Sequence, residues 1–171
     1  MGKFAEIWST TFSPSGQHFA TCSEDQSCCI WETDLSSHNQ ITQLKGHEKA
    51  VTSIDWQKMH PDLGEIFISC SDDQTFRIYT VHNKTDFTLK EIVSTSFIKE
   101  WHTLTYLALE KNGKRVLITA QCGYVFIYNI LERTFEFKER VSMGSCEGVS
   151  WGDKHVLVCS ADLTVNCITL K

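Results

Sequence analysis

The sequence predicts an all-β fold of repeated small sheets, and three observations carry that expectation. Short runs alternate apolar and polar residues, as in Val51-Thr52-Ser53-Ile54-Asp55-Trp56, the period-two pattern of half-buried strands. Turn residues separate the runs, among them Ser13-Pro14-Ser15-Gly16, Asp72-Asp73 and Asn112-Gly113. In such turns proline presets φ and glycine accepts the left-handed region. The whole pattern then recurs. Residues 2–12 fall on residues 46–56 without a gap, and setting Cys22 on Cys70 brings residues 20–31 onto the run that ends at Tyr79. Residues 158–165 share the frame, while residues 117–128 keep strand, turn and strand but lose the acidic turn. Repeats of roughly 40 residues made of short strands are the mark of propeller blades, because one small sheet has two faces and unpaired edges and gains stability by stacking on neighbours.

Four blades follow, at about residues 2–45, 46–93, 94–140 and 141–171. The first is expected to hold strands at 7–12, 18–23, 27–31 and 40–44, and the second at 50–56, 65–71, 75–81 and 87–93, with a long polar insert at 57–64. The third is expected at 101–108, 114–120, 124–129 and 134–140. The fourth has room for three strands only, at 146–151, 155–160 and 164–170, so its outer strand is missing. Residue 2 already opens the first blade, so no N-terminal segment is expected to supply that strand. The expected fold is half of a seven- or eight-bladed ring. It would be completed as the C-terminal part of a longer seven-bladed chain, by a second copy closing an eight-bladed ring, or by a partner's blades. A self-contained ring of four is the fourth possibility.

Composition narrows the function. The 171 residues carry 16 basic and 21 acidic side chains, a formal net charge of -5, and the basic residues are scattered. No basic cluster offers a footprint for nucleic acid or anionic lipid. No apolar run is long enough to span a bilayer and the first residues lack a signal-peptide core, so a membrane partner is not expected and a cytoplasmic or nuclear location is. Of eight cysteines, Cys22, Cys70 and Cys159 occupy equivalent second-strand positions and Cys28, Cys29 and Cys167 lie in third strands. Repeated positions are packing positions, which reads as buried free thiols rather than a disulfide framework. Cys28 and Cys29 point to opposite faces of their strand, and no zinc, phosphate-loop or dinucleotide spacing is present. No metal, no cofactor and no enzyme activity are expected.

Gly46-His47, Ser71-Asp72-Asp73 and Tyr79 resemble one blade of the WD40 repeat family, with Tyr in place of the family's Trp, and Asp25 with Trp31 resembles another. The resemblance implies a propeller whose blades are locked by a buried hydrogen-bond network. Here that network would be His47, Ser71, Asp73 and Tyr79, with remnants at Asp25 and Trp31 and at Ser160 and Asp162. A buried imidazole held by a carboxylate is a rigidifying element; the distant alternative is a hydrolase using His47 and Asp73, for which no nucleophile elbow is present. Residues 6–25 are also similar to repeats of the cytosolic iron–sulfur protein assembly adaptor, which implies a client-binding scaffold.

The function expected from these features is a non-catalytic interaction scaffold that binds peptides or domains on one propeller face. The residues expected to bind are Trp8, Glu48, Lys49, Asp72, Trp101 and Glu147, with the two indoles as hot-spot candidates. Phe4, Glu6, Thr52, Thr103 and Asp162 lie at the same rim positions. The alternative is a structural subunit whose ring a partner or a second copy completes.

Overall fold

The computed structural model describes residues 5–33, 39–58, 64–83, 85–98 and 102–170. These residues form four antiparallel sheets in which strand order follows chain order, so successive strands are joined as hairpins. The first sheet holds β1 (Ile7–Phe12), β2 (His18–Ser23), β3 (Cys28–Glu32) and β4 (Gln40–Leu44). The second holds β5 (Val51–Lys58), β6 (Glu65–Ser71), β7 (Thr75–Asn83) and β8 (Asp86–Ser94). The third holds β9 (Leu104–Leu109), β10 (Arg115–Ala120), β11 (Tyr124–Asn129) and β12 (Thr134–Arg140). The fourth has three strands, β13 (Cys146–Trp151), β14 (His155–Ser160) and β15 (Val165–Thr169). This is the four-bladed, all-β, WD40-type propeller arrangement that the repeats predict. The third blade's inner strand starts at Leu104 rather than at residue 101, and residue 101 lies outside the described residues.

One backbone feature fixes the repeat frame. The turn between the second and third strands of each blade contains a residue with positive φ: Gln26 at 72°, Gln74 at 66°, Gly123 at 81° and Leu163 at 67°. A left-handed residue at the same place in four turns sets the same register in four hairpins. Counting from it makes Cys22, Cys70, Thr119 and Cys159 equivalent.

Alternation along these hairpins gives every blade a forward face toward the next blade and a rear face toward the previous one. The forward face of blade 1 presents Ala20, Cys22, Cys28 and Ile30, packed with Trp56, Phe67 and Tyr79 of blade 2. Blade 2 offers Ile68, Cys70, Phe76 and Ile78 to Val116, Ile118, Phe126 and Tyr128 of blade 3. Blade 3 offers Leu117, Val125 and Ile127 to Val156, Val158 and Ile168 of blade 4. The core is thus three apolar slabs between blades rather than one central mass. Burial drives the thiols in the first two slabs up, Cys22 and Cys70 to about 12, so they stay protonated packing groups.

Polar pins run alongside the slabs at the inner strands. Thr52 Oγ1 donates to the Leu104 carbonyl at 2.7 Å, the Leu109 N–H donates to Asp55 Oδ2 at 2.8 Å, and Ser53 Oγ accepts from the Leu107 N–H. Between blades 3 and 4, Trp151 Nε1 donates to the Ala108 carbonyl at 2.7 Å and Thr105 Oγ1 to the Cys146 carbonyl at 3.0 Å. These bonds satisfy groups that blade packing would otherwise strip of water.

Candidate functional site

The inner strands converge on a cleft of about 550 Å³. Its geometry follows from a defect repeated in every blade. The pairing of the first two strands slips between Ile7 and Ser9, between Val51 and Ser53, between Leu104 and Leu107 (opposite Ala120 and Ile118), and between Cys146 and Gly148. A bulge leaves one side chain unpaired and re-aims it. The residues so placed are Trp8, Thr52, Thr105 and Glu147, and all four line the cleft.

A second repeated contact shapes the rim. The first residue of each turn between second and third strands donates its N–H to the carbonyl two residues before the bulge: Glu24 to Glu6, Asp72 to Ala50, Gln121 to Thr103 and Ala161 to Ser145, at 2.8–3.0 Å. Those positions supply Glu6, Asp72, Thr103, Gln121 and Ser145 to the lining, and Tyr106 completes it. Three carboxylates and two partly exposed aromatic rings, Trp8 and Tyr106, therefore face the cleft, and among the described residues no lysine or arginine lines it. Burial raises the Asp72 carboxyl, opposed by the nearby Lys49 cation and reinforced by Asp73.

The binding residues read from the sequence fall into three groups. Trp8, Asp72 and Glu147 line the cleft. Glu48 and Lys49 are exposed in the loop before β5, where Glu48 contributes its backbone N–H to Asp73 Oδ2. Phe4 and Trp101 lie outside the described residues. Thr52, already at a rim position expected from the sequence, and Thr105 enter the lining through the bulge and Gln121 through its turn; nothing in the residue types of Thr105, Tyr106 and Gln121 marks them.

The histidine network of blade 2 sits beside this cleft. The Nδ1 of His47 lies 2.8 Å from Asp73 Oδ2, and its Nε2 lies 2.9 Å from Ser69 Oγ. Asp73 Oδ1 accepts from the Thr75 hydroxyl at 2.6 Å. Burial pushes the Asp73 carboxyl up, but the hydrogen bonds from His47 and Thr75 outweigh it and hold the group well below the usual carboxylate range. An ionised carboxylate only accepts, so Nδ1 donates to Asp73. Ser71, expected in this network, meets Asp73 rather than the ring: its Oγ accepts from the Asp73 N–H and donates to the Lys49 carbonyl, while Ser69, not singled out from the sequence, meets the imidazole. Ser71 follows Ser69 by two residues on the same strand face, but the register puts only Ser69 within reach of the ring. Tyr79 contributes a buried ring packed against Phe67.

The arrangement Asp73–His47–Ser69 has the outline of a catalytic triad, and burial removes that reading. His47 is 7% exposed and Ser69 fully buried, so no acyl carbon can reach the hydroxyl. The hydrolase alternative is set aside on that ground. Among the described residues no group of three or more His, Cys, Asp or Glu side chains is placed to hold a metal ion.

Related locks occur elsewhere with other residues. In blade 4, Asp162 Oδ2 accepts from Ser142 Oγ at 2.7 Å and from the Met143 N–H, while Oδ1 accepts from Thr164. Ser142 takes the place that His47 fills in blade 2, and its hydroxyl and that of Thr164 hold the Asp162 carboxyl low. Ser160 turns instead toward the Cys146 thiol. In blade 1, Asp25 binds Ser27 at 2.6 Å, and Trp31 Nε1 donates to Thr21, the counterpart of Ser69. Because the Asp73 pKa is lowered on folding, its contribution is present above the unfolded value of about 3.9 and is lost as pH falls below it. Asp73→Asn is therefore expected to lower stability at neutral pH. It should also shrink the loss that the unaltered chain shows between about pH 4 and pH 2, as read by urea unfolding at stepped pH.

Comparison with known proteins agrees with this geometry. The WD40 pattern described as WD domain, G-beta repeat matches residues 2–32 and 38–80. Protein transport protein SEC13 of Coccidioides immitis is 45% identical over 58 residues, 34% of this chain and 18% of that protein. SEC13 of Yarrowia lipolytica is 37% identical over 68 residues, 40% of this chain and 22% of that protein. Nucleoporin SEH1 of Homo sapiens is 34% identical over 74 residues, 43% of this chain and 20% of that protein. The matched stretch thus spans about a fifth of the length of these relatives. Their names are those of a transport protein and a nucleoporin, not of the iron–sulfur assembly adaptor that residues 6–25 resemble. Four sheets in one repeat frame, and a WD40 match over the first of them and over most of β5–β7 in the second, together support a WD40 β-propeller domain.

Proposed function

We propose that the chain is a non-catalytic protein-interaction scaffold whose axial cleft takes a cationic segment of a partner protein. One observation carries this reading: three repeat positions, brought together from blades 1, 2 and 4, supply Glu6, Asp72 and Glu147 around Trp8 in a cleft whose lining among the described residues holds no basic side chain. A negative concave wall favours lysine or arginine, and an indole or phenol ring beside it adds a cation–π surface. Glu48 and Lys49 are assigned to the outer rim. A cytoplasmic or nuclear setting fits the names of the transport and nuclear-pore relatives.

The test is calorimetric titration with lysine- and arginine-containing peptides, with glutamate-containing peptides of equal length as controls. Binding is expected for the basic peptides only and should weaken as salt rises. It should fall about tenfold or more for Trp8→Ala and for Glu147→Lys. Equal binding of acidic peptides, or affinity untouched by both variants, would contradict the reading.

A second reading, a structural subunit whose larger ring is finished by other blades, has its own support. The rear face of blade 1 and the forward face of blade 4 expose Phe12 and Val165 at 65% and 69%, and sheet faces of this composition are covered in stable propellers.

A further inference from the structure

Both open faces use positions that are buried elsewhere in the same chain. On the rear of blade 1, Phe12, Phe19 and Trp31 stand opposite one another across β1, β2 and β3. They form a row in which Phe19 stacks on Trp31 with ring centroids 6.1 Å apart. The same row in blade 2 is Trp56, Phe67 and Tyr79, and there it is buried beneath Ala20, Cys22, Cys28 and Ile30. Blade 4 presents Leu157, Cys159, Val165 and Cys167 at the positions of those four residues, and all four are exposed. Small or medium side chains therefore cover a row of three aromatic rings at the interface of blades 1 and 2. The uncovered ends of the chain repeat that pairing, with Cys159 the same residue as Cys22. The interface of blades 2 and 3 is different, because there the forward face carries the bulky Phe76.

We infer that the forward face of blade 4 docks on the rear face of blade 1 of a second copy, as blade 1 docks on blade 2 within the chain. This rests on the ring-completing reading above and names its partner. The contact is heterologous, and two copies related by a twofold axis make it twice, giving eight blades with both faces covered. Leu157, Val165 and the two thiols would sit over Phe12, Phe19 and Trp31.

Multi-angle light scattering with sedimentation velocity at about 50 μM tests this. The unaltered chain is expected at twice its chain mass. Val165→Asp and Phe12→Asp alter side chains that are mostly exposed in the single chain, so circular dichroism should be unchanged, and each alone should be a monomer. Mixing the two should give a dimer weaker than the unaltered one, because one of the two contacts then joins two unaltered faces while the other joins two substituted ones. A monomeric unaltered chain, or a dimer that survives both substitutions, overturns the inference. A hydrophobic dye then separates the two levels. A monomer that binds 1-anilinonaphthalene-8-sulfonate, and loses that binding in the double variant, keeps its faces open for a different chain. A monomer without such binding removes ring completion altogether. Peptide binding at the axial cleft is measured on the monomeric variants and is independent of both outcomes.

Discussion

Phe67→Ala is expected to cost about 3–5 kcal/mol of stability, the range for truncating a fully buried phenylalanine. Phe67 has no exposed surface and lies at the centre of the slab between blades 1 and 2. Its ring meets Trp56 at 5.8 Å, Phe87 at 5.8 Å and Tyr79 at 5.9 Å between centroids. The strands on which these rings sit are tied by ladder bonds, so the space left by truncation cannot collapse fully and the lost contacts add to the transfer cost. Urea unfolding followed by tryptophan fluorescence reads the effect as a lower midpoint with a similar slope. Phe19→Ala provides the contrast. It removes the same position from blade 1, where the row is half-open, and is expected to cost less in the monomer. The gap between the two variants should narrow when the open face is covered.

Gly123→Ala is the second large effect, at least about 2 kcal/mol. Left-handed φ alone does not demand glycine here, since Gln26, Gln74 and Leu163 hold the equivalent place with φ of 66–72°. What differs is the neighbour. A Cβ on Gly123 would fall on the Ser142 carbonyl, and the segment carrying that carbonyl is pinned by the Val141 N–H donating to the Gly123 carbonyl at 2.9 Å. Relief would move Ser142 away from Asp162, the lock at the head of blade 4. Gly123→Ala should therefore lower the unfolding midpoint and raise amide exchange in residues 141–146 before it does so in blades 1 and 2. Uniform loosening of all four blades would contradict the assigned neighbour.

Much of the fold was legible because the residues that specify it are local. Alternation, the Asn112-Gly113 turn and the Asp-containing turns place strand ends within a residue or two of where they lie, except that the third blade's inner strand, expected from residue 101, starts at Leu104, and the match of Cys22 with Cys70 fixes the frame. The histidine lock was legible in part. Gly46-His47, Ser71 and Asp73 mark three members, but the contact of Ser69 with the ring depends on strand register, and Ser142, which stands in for His47 in blade 4, shares no residue type with it. The cleft was the least legible element. Trp8 and Glu147 attract notice as an aromatic and a charge, whereas Thr52, Thr105 and Gln121 are ordinary strand and turn residues. Thr52 and Thr105 face the cleft because a bulge interrupts each inner strand, and Gln121 because its turn N–H is tied to the Thr103 carbonyl; a bulge leaves no composition signature when no glycine accompanies it.

The claim that most needs a direct test is that partners are held by all four blades at once. Hydrogen–deuterium exchange, with and without a saturating lysine- and arginine-containing peptide, measures this. The account predicts coincident protection at the inner-strand bulges around Trp8, Thr52, Thr105 and Glu147, with little change on β4, β8 and β12. Protection confined to the outer strands, or to the open faces at Phe12 and Val165, would contradict it.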